Sequence, residues 1–497
     1  FGSGLGSGCI NDQEESDKYI FHKVFLGKRK CKDKYFYLSK MKPTKQLTIF
    51  DLTLIVVSLV IGMGIFRTPA NVANAVSSPA IFYAAWIAGG LIALCGALTY
   101  AEIGSRMPVT GGYYKVFAYA YHPSIAFAVN CIILVSNAAS LAAVALVGGE
   151  YITGIFVPQS NDSNWILNPA NAQHIQNVQI IIAITAIIIF YGVNLLGLKM
   201  SARAQNVLTV IKITMIILLL TPLFFAAGPV HPVIASATQA SPLFTEYLKA
   251  FGVGLVAVSF TYGGYQQTIN LGEEVKDPQK TIPRSIFLGI IIIIVLYLLI
   301  NYAYVKVIGF EELKTAKNIA AIMASKVFGI NAERILSALL FLSVLAYVNV
   351  LLMSNPRVME AMSYDKILPP AFKKRSIKTE ALTTSLSVFS AMCILIIFWA
   401  KEFDTILSFT IFLDCFGMVL SAGSIFIIRK KTSYLDGSGI YMMKFYPLLP
   451  IIFIAAYSFV GISIMVTNTK VSLMGLGVLA AFMIIYFIVA ALQKGKS

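Results

Sequence analysis

Apolar runs of about 20 residues or more recur along this chain, and each is long enough to cross a bilayer as a helix. The chain has 497 residues, of which 58% are hydrophobic and only 12% are charged. A soluble domain could not cover so apolar a composition with a polar surface. The sequence therefore predicts an all-α integral membrane protein, for which the lipid bilayer is the first partner.

We predict twelve transmembrane helices from these runs. Their expected bounds are about 50–76, 80–105, 121–156, 177–196, 203–226, 246–271, 283–308, 333–356, 379–399, 404–428, 445–467 and 472–492. Residues 1–45 precede the first span. Because glycine and serine make up most of their first eight residues, we interpret residues 1–45 as a cytoplasmic tail or an expression-derived leader.

The formal net charge of +16 could indicate a nucleic-acid partner, but the basic residues lie mainly in every second connection between the spans. This asymmetry is typical of membrane proteins, whose cytoplasmic loops are rich in Lys and Arg. We therefore expect no nucleic-acid partner. The pattern predicts a multi-pass protein of the cell's inner (plasma) membrane with both termini in the cytoplasm.

Glycine pairs interrupt two of the predicted spans. The segments are Ile61-Gly62-Met63-Gly64-Ile65-Phe66 in the first span and Phe260-Thr261-Tyr262-Gly263-Gly264-Tyr265 in the sixth. Glycine weakens a helix, and broken membrane helices occur where the freed backbone groups face a cavity or a ligand. We predict that the two spans unwind at about 62–65 and 260–264 and face each other.

The twelve spans divide into two sets that each begin with a broken helix. Spans 1–5, within 46–226, form the first set, and spans 6–10, within 246–428, form the second. Because five is an odd number, the second set enters the membrane from the opposite side. The sequence thus predicts a five-plus-five inverted repeat, with spans 11 and 12, within 445–492, as two accessory helices.

An ordered set of motifs resembles the amino acid–polyamine–organocation superfamily, close to its L-type amino acid transporter branch. The motifs are Gly62-Met63-Gly64-Ile65-Phe66, Tyr100-Ala101-Glu102-Ile103-Gly104, Pro108, Gly111-Gly112, Phe260-Thr261-Tyr262-Gly263-Gly264, Glu273-Glu274, Pro278, Pro283-Arg284, Asn301-Tyr302-Ala303-Tyr304, Asn349, Arg357 and Leu368-Pro369. The resemblance covers about residues 45–430. It implies the broken-helix amino acid transporter fold.

The resemblance also implies a binding site for a zwitterionic amino acid at the two breaks. The expected site residues are Val60, Gly62, Met63, Gly64, Ile65, Phe260, Gly263 and Gly264. The amides of Met63 and Gly64 are expected to face the carboxylate, and the carbonyls of Val60, Phe260 and Gly263 the ammonium. Met63 stands where the family commonly has serine, so one hydroxyl contact is absent. Phe260 and Tyr265 are the expected gates.

Two ionisable residues within apolar spans are expected to serve coupling. Lys212 either extends toward the cytoplasmic end or, as the resemblance implies, places its ammonium where relatives bind sodium. Asp414 has three interpretations: structural pairing, a proton-sensitive gate, and a partner for a cationic substrate. Glu102 is expected to make contacts at the inner side, and Glu150 to face the outer vestibule.

These observations predict a sodium-independent secondary transporter for amino acids, neutral ones in particular, that works by proton coupling or exchange. The alternatives are a cationic amino acid or polyamine carrier and a non-transporting amino acid sensor. We predict no enzyme activity, no cofactor and no metal site. The resemblance implies a further comparison, because eukaryotic L-type members bond a heavy chain through a cysteine in the loop after the third span. Residues 157–176 contain no cysteine, so no disulfide-linked heavy chain is expected, and the protein is predicted to be a monomer or homo-oligomer.

Overall fold

The computed structural model describes residues 46–62, 64–156, 169–225, 244–316, 319–399 and 403–494, all within the unit Lys45–Ser497. The predicted tail at 1–45 therefore lies outside the described residues. The helices in chain order are α1 (Ile49–Val60), α2 (Gly64–Ala75), α3 (Pro79–Arg106), α4 (Gly112–Ala120), α5 (Pro123–Phe156), α6 (Pro169–Leu195), α7 (Leu198–Leu220), α8 (Pro222–Phe225), α9 (Phe244–Tyr262), α10 (Pro278–Val307), α11 (Phe310–Thr315), α12 (Ile319–Phe328), α13 (Ile330–Tyr364), α14 (Thr383–Trp399), α15 (Phe403–Lys431), α16 (Leu448–Thr467) and α17 (Thr469–Lys494). Short 3₁₀ helices occupy Tyr265–Asn270, Gly272–Glu274, Pro370–Lys373 and Ser433–Leu435.

Ten helices in the described part of the chain are long and apolar enough to cross a membrane, with α1 and α2 counted as one crossing. They confirm an all-α membrane protein. Two of the twelve predicted spans are not among the ten: α9, which has 19 residues and ends at the second glycine pair, and α14, whose apolar part is only Thr383–Phe398. The count of twelve therefore stays a prediction.

Both glycine pairs interrupt helices, as predicted. Thr48 begins α1 with a capping box, in which its side chain accepts from the Asp51 amide and the Asp51 carboxylate accepts from the Thr48 amide. The helix ends at Val60, and α2 begins at Gly64. The first break therefore starts one residue earlier than the predicted 62–65, because α1 ends at Val60. It also ends earlier, because Gly64 already has helical geometry.

Some helix boundaries differ from the predicted ones. α6 begins at Pro169 rather than at about 177, and α13 continues to Tyr364 rather than ending at about 356. Pro356 lies inside α13, where a proline removes one helical hydrogen bond. Side chains of the neighbouring residues Asn355 and Arg357 donate to carbonyls of the preceding turn. These bonds join the turns on either side of the proline, and the helix continues to Tyr364.

The helices pack in two groups, and the first group carries both breaks on the side that faces the second. In the first group, α10 packs on α1 and α3, while α9 packs on α2 and α3. In the second group, α5 packs on α6, α13 and α14. α7 contacts both α1 and α13, and α15 contacts α5, α16 and α17. The first group carries both breaks, and the second supplies the facing wall.

A buried ion cluster ties α3 to α15. The Glu102 carboxylate, fully buried, accepts from Arg106 Nε at 2.8 Å, from Arg429 Nε and Nη2 at 2.7 Å, and from the Met443 amide at 2.9 Å. Arg106 also pairs with Asp436 at 2.7 Å. Glu102 therefore acts as a structural contact between helices rather than as part of the cavity between the breaks.

Candidate substrate site at the two helix breaks

The first break exposes backbone between α1 and α2. The Ile61 amide donates to the Val57 carbonyl at 2.8 Å, and the Gly62 amide donates to the Val60 carbonyl at 2.7 Å. Val60 O also accepts from the Tyr297 hydroxyl at 3.1 Å. A carbonyl oxygen has two lone pairs, so this one is already fully used. A substrate ammonium at the Val60 carbonyl would have to replace one of these donors, and this predicted contact stays a prediction.

The second break follows Tyr262. Gly263 and Gly264 are not helical, and the 3₁₀ helix from Tyr265 continues the chain. Gly264 has φ +115°, a conformation that favours glycine because a side chain would clash with the backbone. Its amide donates to the Gln266 side chain at 2.9 Å. The Gly263 carbonyl is left as a candidate acceptor for an ammonium.

The two breaks touch each other through their glycines. A Cβ atom placed on Gly64 would lie 2.8 Å from Thr261 Oγ1 and 3.1 Å from Thr261 Cα. A Cβ atom on Gly264 would lie 2.4 Å from the Leu59 carbonyl oxygen. Real Cβ atoms do not approach other atoms so closely. The glycines therefore allow α1, α2 and α9 to meet at the breaks, which confirms that the breaks face each other.

A cavity lies between the breaks and the facing helices α5, α13, α15 and α16. Its lining residues are Leu59, Val60, Gly62, Gly64, Asn137, Ser140, Val144, Ser259, Thr261, Gly263, Gly264, Gln266, Gln267, Tyr347, Ile411, Asp414, Met418 and Tyr457. One wall thus offers main-chain atoms of the breaks. The opposite wall offers polar side chains, among them Asn137, Ser140 and Asp414, interspersed with apolar ones. A small molecule with polar ends suits such a site.

Lys212 lies on the far side of the first break, fully buried on α7. Its ammonium donates to the Ile61 carbonyl, and Ser58 Oγ lies 3.4 Å away. Ser58 also accepts from Gln205, which accepts from Asn349, and Asn349 in turn accepts from Asn194. The ammonium thus contacts the end of α1 directly, and the polar network around it reaches α6 and α13. Its side chain does not extend toward the cytoplasmic end of α7, which is the alternative prediction.

Asp414 lies in the wall of the cavity opposite the breaks. Its carboxylate accepts a hydrogen bond from Ser136 Oγ on α5 at 2.8 Å. No Lys, Arg or His in the described ranges pairs with it. It also lines a second, smaller cavity together with Asn137, Gln266, Gln267 and Met418. Structural pairing of Asp414 thus takes the form of a hydrogen bond to Ser136, with no cation beside it in this part of the chain, and its three interpretations stay predictions.

Comparison with known proteins identifies the family. The family model described as amino acid permease matches residues 47–497. The chain belongs to the amino acid permease family. This permease is 27% identical over 424 residues to the serine/threonine exchanger SteT of Bacillus subtilis, covering 85% of this chain and 91% of that protein. It is 25% identical over 457 residues to the human large neutral amino acids transporter small subunit 2, covering 89% of this chain and 80% of that protein. It is also 25% identical over 395 residues to the human cystine/glutamate transporter, covering 79% and 75%.

The permease brings some predicted site residues together and places others elsewhere. Val60, Gly62, Gly64, Gly263 and Gly264 line the cavity. Ile65 is fully buried outside the lining. Met63 and the side chain of Phe260 lie outside the described residues, so their predicted roles stay predictions.

Tyr265 does not occupy the predicted gate position in this conformation of the permease. Its ring lies edge-on to Tyr100 with centroids 5.9 Å apart, and it is fully buried. A Cβ atom on Gly96 would touch the Tyr265 hydroxyl. The side chain points into the packing between the second break and α3, away from the cavity lining. The direction in which each side chain of this irregular segment points could not be deduced from the local sequence.

Glu150, predicted at the outer vestibule, lies 4.0 Å from Arg67 across α5 and α2. Both side chains are partly exposed. The contact joins the helix after the first break to the facing group, but the side of the membrane on which it lies stays a prediction. Within the described residues, no group of three or more His, Cys, Asp or Glu could hold a metal ion.

Sequence reasoning missed Tyr297 of α10. Its hydroxyl donates to the Val60 carbonyl at 3.1 Å and lies 3.3 Å from the Thr261 carbonyl, so one side chain contacts both breaks. Trp86 and Tyr262 pack against its ring. The only signal in the sequence is a tyrosine within the apolar run of α10, which does not indicate its partners. Tyr297 therefore helps to hold the two breaks in register.

We expect Tyr297→Phe to lower transport by roughly five- to tenfold, because it removes a hydrogen bond worth about 1 kcal/mol that both breaks share. Initial uptake rates in proteoliposomes, corrected for the amount of inserted protein, measure the effect. Tyr304→Phe is the matched control on the same helix, since the Tyr304 hydroxyl is buried without a hydrogen-bond partner among the described residues. Equal rates for the two variants would contradict this role of Tyr297.

Proposed function

We propose that this permease is a sodium-independent secondary transporter of amino acids, with neutral amino acids as its main substrates, that works by alternating access. The contact between the two breaks, beside a cavity lined by their backbone, is the observation that carries the proposal. Open amides at a helix start favour a carboxylate, and open carbonyls favour an ammonium. Every amino acid carries both groups, so the breaks suit the part that all these substrates share.

The relatives support neutral amino acids as substrates. Two of them are named for serine and threonine exchange and for large neutral amino acids. Met63 and Gly64 remain the proposed amide donors to the carboxylate. With Val60 O already occupied, the proposed acceptors for the ammonium are the carbonyls of Phe260 and Gly263.

Uptake by the purified permease in proteoliposomes tests transport directly. Labelled serine, leucine and lysine, each with and without an internal amino acid, distinguish net uptake from exchange. We expect uptake of at least one neutral amino acid. Binding without any uptake would instead favour a sensor, and selective uptake of lysine would favour the cationic carrier. Acceleration by an inward proton gradient would identify proton coupling, and acceleration by internal amino acid would identify exchange.

The position of Lys212 supports the proposed sodium independence. Its ammonium contacts the Ile61 carbonyl and the Ser58 hydroxyl, the kind of oxygen atoms that coordinate a sodium ion in a broken-helix transporter. A positive charge already bound there leaves no room for the ion. Lys212 is thus proposed to fix the first break while the transporter alternates between conformations open to either side of the membrane.

We expect replacement of sodium by choline, at constant pH and ionic strength, to change the initial uptake rate by less than about twofold. If transport required a bound sodium ion, even a contribution of about 1.4 kcal/mol from that ion would change the substrate-binding equilibrium about tenfold. The measurement uses the wild-type permease in proteoliposomes with the same cation on both sides. A loss of most of the uptake in choline would rule out this role of Lys212.

We propose a location in the plasma membrane, and the distribution of basic residues supports an orientation with both termini in the cytoplasm. We propose that the permease acts as a monomer or homo-oligomer without a disulfide-linked heavy chain. Cysteine labelling of single-cysteine variants from either side of the membrane tests the orientation.

A further inference from the structure

Asp414 is the one charged residue among the described residues that line the cavity. The breaks on the other wall offer main-chain groups, which suit the carboxylate and ammonium common to all amino acids. What distinguishes one amino acid from another is its side chain. The side-chain wall of α5, α13 and α15 is therefore the part of the site that can select among substrates.

The other polar residues of this wall already bind one another. Asn137 donates to Asn355 at 2.7 Å and accepts from Gln267 at 2.9 Å, and Ser140 lies 2.8 Å from the Tyr347 hydroxyl. These bonds join α5 to α13 and to the second break. A substrate would gain little from such groups, because each new contact replaces one that exists.

Asp414 differs because most of its acceptor capacity is unused. An ionised carboxylate has about four acceptor positions, and only the Ser136 hydroxyl, at 2.8 Å, fills one of them in the described part of the chain. Charges inside a membrane protein normally face a cavity or a partner, since isolated burial is costly. The cavity is the open direction for this carboxylate.

Among the residues that the structure describes, the buried cations nearest to the helix breaks and to α15 have other partners than Asp414. Lys212 donates to Ile61 and Ser58 behind the first break. Arg429 and Arg106 bind Glu102 at the far end of α15 and α3. A donor that satisfies the Asp414 carboxylate therefore has to enter the cavity, either as water or as part of the substrate.

We propose that Asp414 accepts a hydrogen bond from the side chain of the transported amino acid, and thereby selects substrates whose side chains carry a hydroxyl or ammonium donor. The inference rests on the proposed transport function: a preference for hydroxyl donors narrows the substrates to neutral amino acids such as serine and threonine, whereas a preference for ammonium donors alone keeps transport but replaces neutral by cationic substrates. The apolar neighbours Val144, Ile411, Met418 and Tyr457 contact the carbon atoms of such a side chain. An entirely apolar side chain would displace water from the carboxylate without replacing its hydrogen bonds, a cost that lowers affinity.

Two pairs of amino acids that match in shape test the selection. Threonine and valine differ by a hydroxyl in place of a methyl group, and lysine and norleucine differ by an ammonium on the same carbon chain. Thermal-shift titration of the purified permease measures affinity for each. We expect the donor-bearing member of at least one pair to bind at least about tenfold more tightly, as hydrogen bonds to charged groups do.

Variants at Asp414 then assign the preference to this carboxylate. Asp414→Asn keeps the shape and one acceptor but removes the charge, so a lysine preference over norleucine should fall at least about tenfold and a threonine preference over valine should fall less. Asp414→Leu should abolish both preferences. Affinity for valine and norleucine should survive in Asp414→Asn, which shows that the site is still folded. Glu311→Gln, at an exposed glutamate outside the cavity, is the matched control for loss of one charge.

The outcomes separate this inference from the proposed function. If no amino acid binds the wild type, the transport proposal and the inference both fail. If amino acids bind but neither pair shows a preference, or if a preference persists in Asp414→Leu, the inference is overturned and the transport proposal stands. Amino acid binding without a preference that depends on Asp414 would favour the predicted gating or coupling role of this residue.

Discussion

Gly64→Val should abolish substrate binding while the permease still inserts into the membrane. The Cβ atom alone would lie 2.8 Å from Thr261 Oγ1, 3.0 Å from Thr261 Cγ2 and 3.1 Å from Thr261 Cα. Thr261 cannot turn away freely, since its hydroxyl donates to the Ala257 carbonyl at 3.1 Å and its Cα belongs to α9. The two breaks must therefore separate, which moves the main-chain groups of both away from their positions around the cavity.

The expected loss of affinity is at least about 100-fold, equivalent to about 3 kcal/mol. Thermal-shift titration with the best amino acid substrate measures it, and membrane fractionation measures insertion. Gly192→Val is the matched control, because no atom lies within 4 Å of a Cβ placed on that helical glycine. Undiminished affinity in Gly64→Val, or an equal loss in Gly192→Val, would contradict the close contact of the breaks as the basis of binding.

Lys212→Met should lower transport by roughly 30-fold or more with little change in the amount of inserted protein. Methionine preserves much of the apolar stem but removes the ammonium, so the Ile61 carbonyl loses its charged donor and Ser58 loses a neighbour. A hydrogen bond to a charged group contributes about 1.5 to 3 kcal/mol, and a buried acceptor left without a partner costs a comparable amount. The end of α1 is then no longer fixed to α7 during the transport cycle.

Lys199→Met provides the matched control for this second prediction. Lys199 lies on the same helix as Lys212, but its side chain is exposed. We expect its uptake rate to stay within about twofold of the wild type, in keeping with the small effects of surface substitutions. Uptake is measured in proteoliposomes and normalised to inserted protein. If Lys212→Met transports at the wild-type rate, the ammonium is not required at the first break.

The location of the breaks could be predicted from the sequence because glycine weakens a helix and because both glycine pairs stand within the motifs that resemble the family. Glycine pairs alone would not have sufficed, since Gly89-Gly90 and Gly148-Gly149 lie inside the continuous helices α3 and α5. Helix lengths were less predictable. α13 continues through Pro356 because side chains and neighbouring helices support it, and such support depends on residues distant in sequence.

The same distinction holds within the site. The sequence placed Gly62, Gly64, Gly263 and Gly264 at the cavity, since their role follows from the main chain. It could not show that the Val60 carbonyl is occupied, because its donor, Tyr297, comes from a helix 237 residues further along the chain. Nor could it show that Tyr265 packs against Tyr100, because an irregular turn directs that side chain.

Composition and the length of the apolar runs by themselves determined that this protein is an all-α membrane protein, because backbone polar groups in lipid must pair within a helix or a closed barrel, and runs of about 20 apolar residues fit a helix. The ordered motifs indicated the permease family, and the glycines within those motifs indicated the breaks. Only the tertiary structure decided which groups meet there: Lys212 with Ile61, Thr261 with Gly64, and Asp414 with Ser136 and the cavity. Each of these contacts joins different helices, so its geometry depends on how the helices pack rather than on any one segment of the sequence.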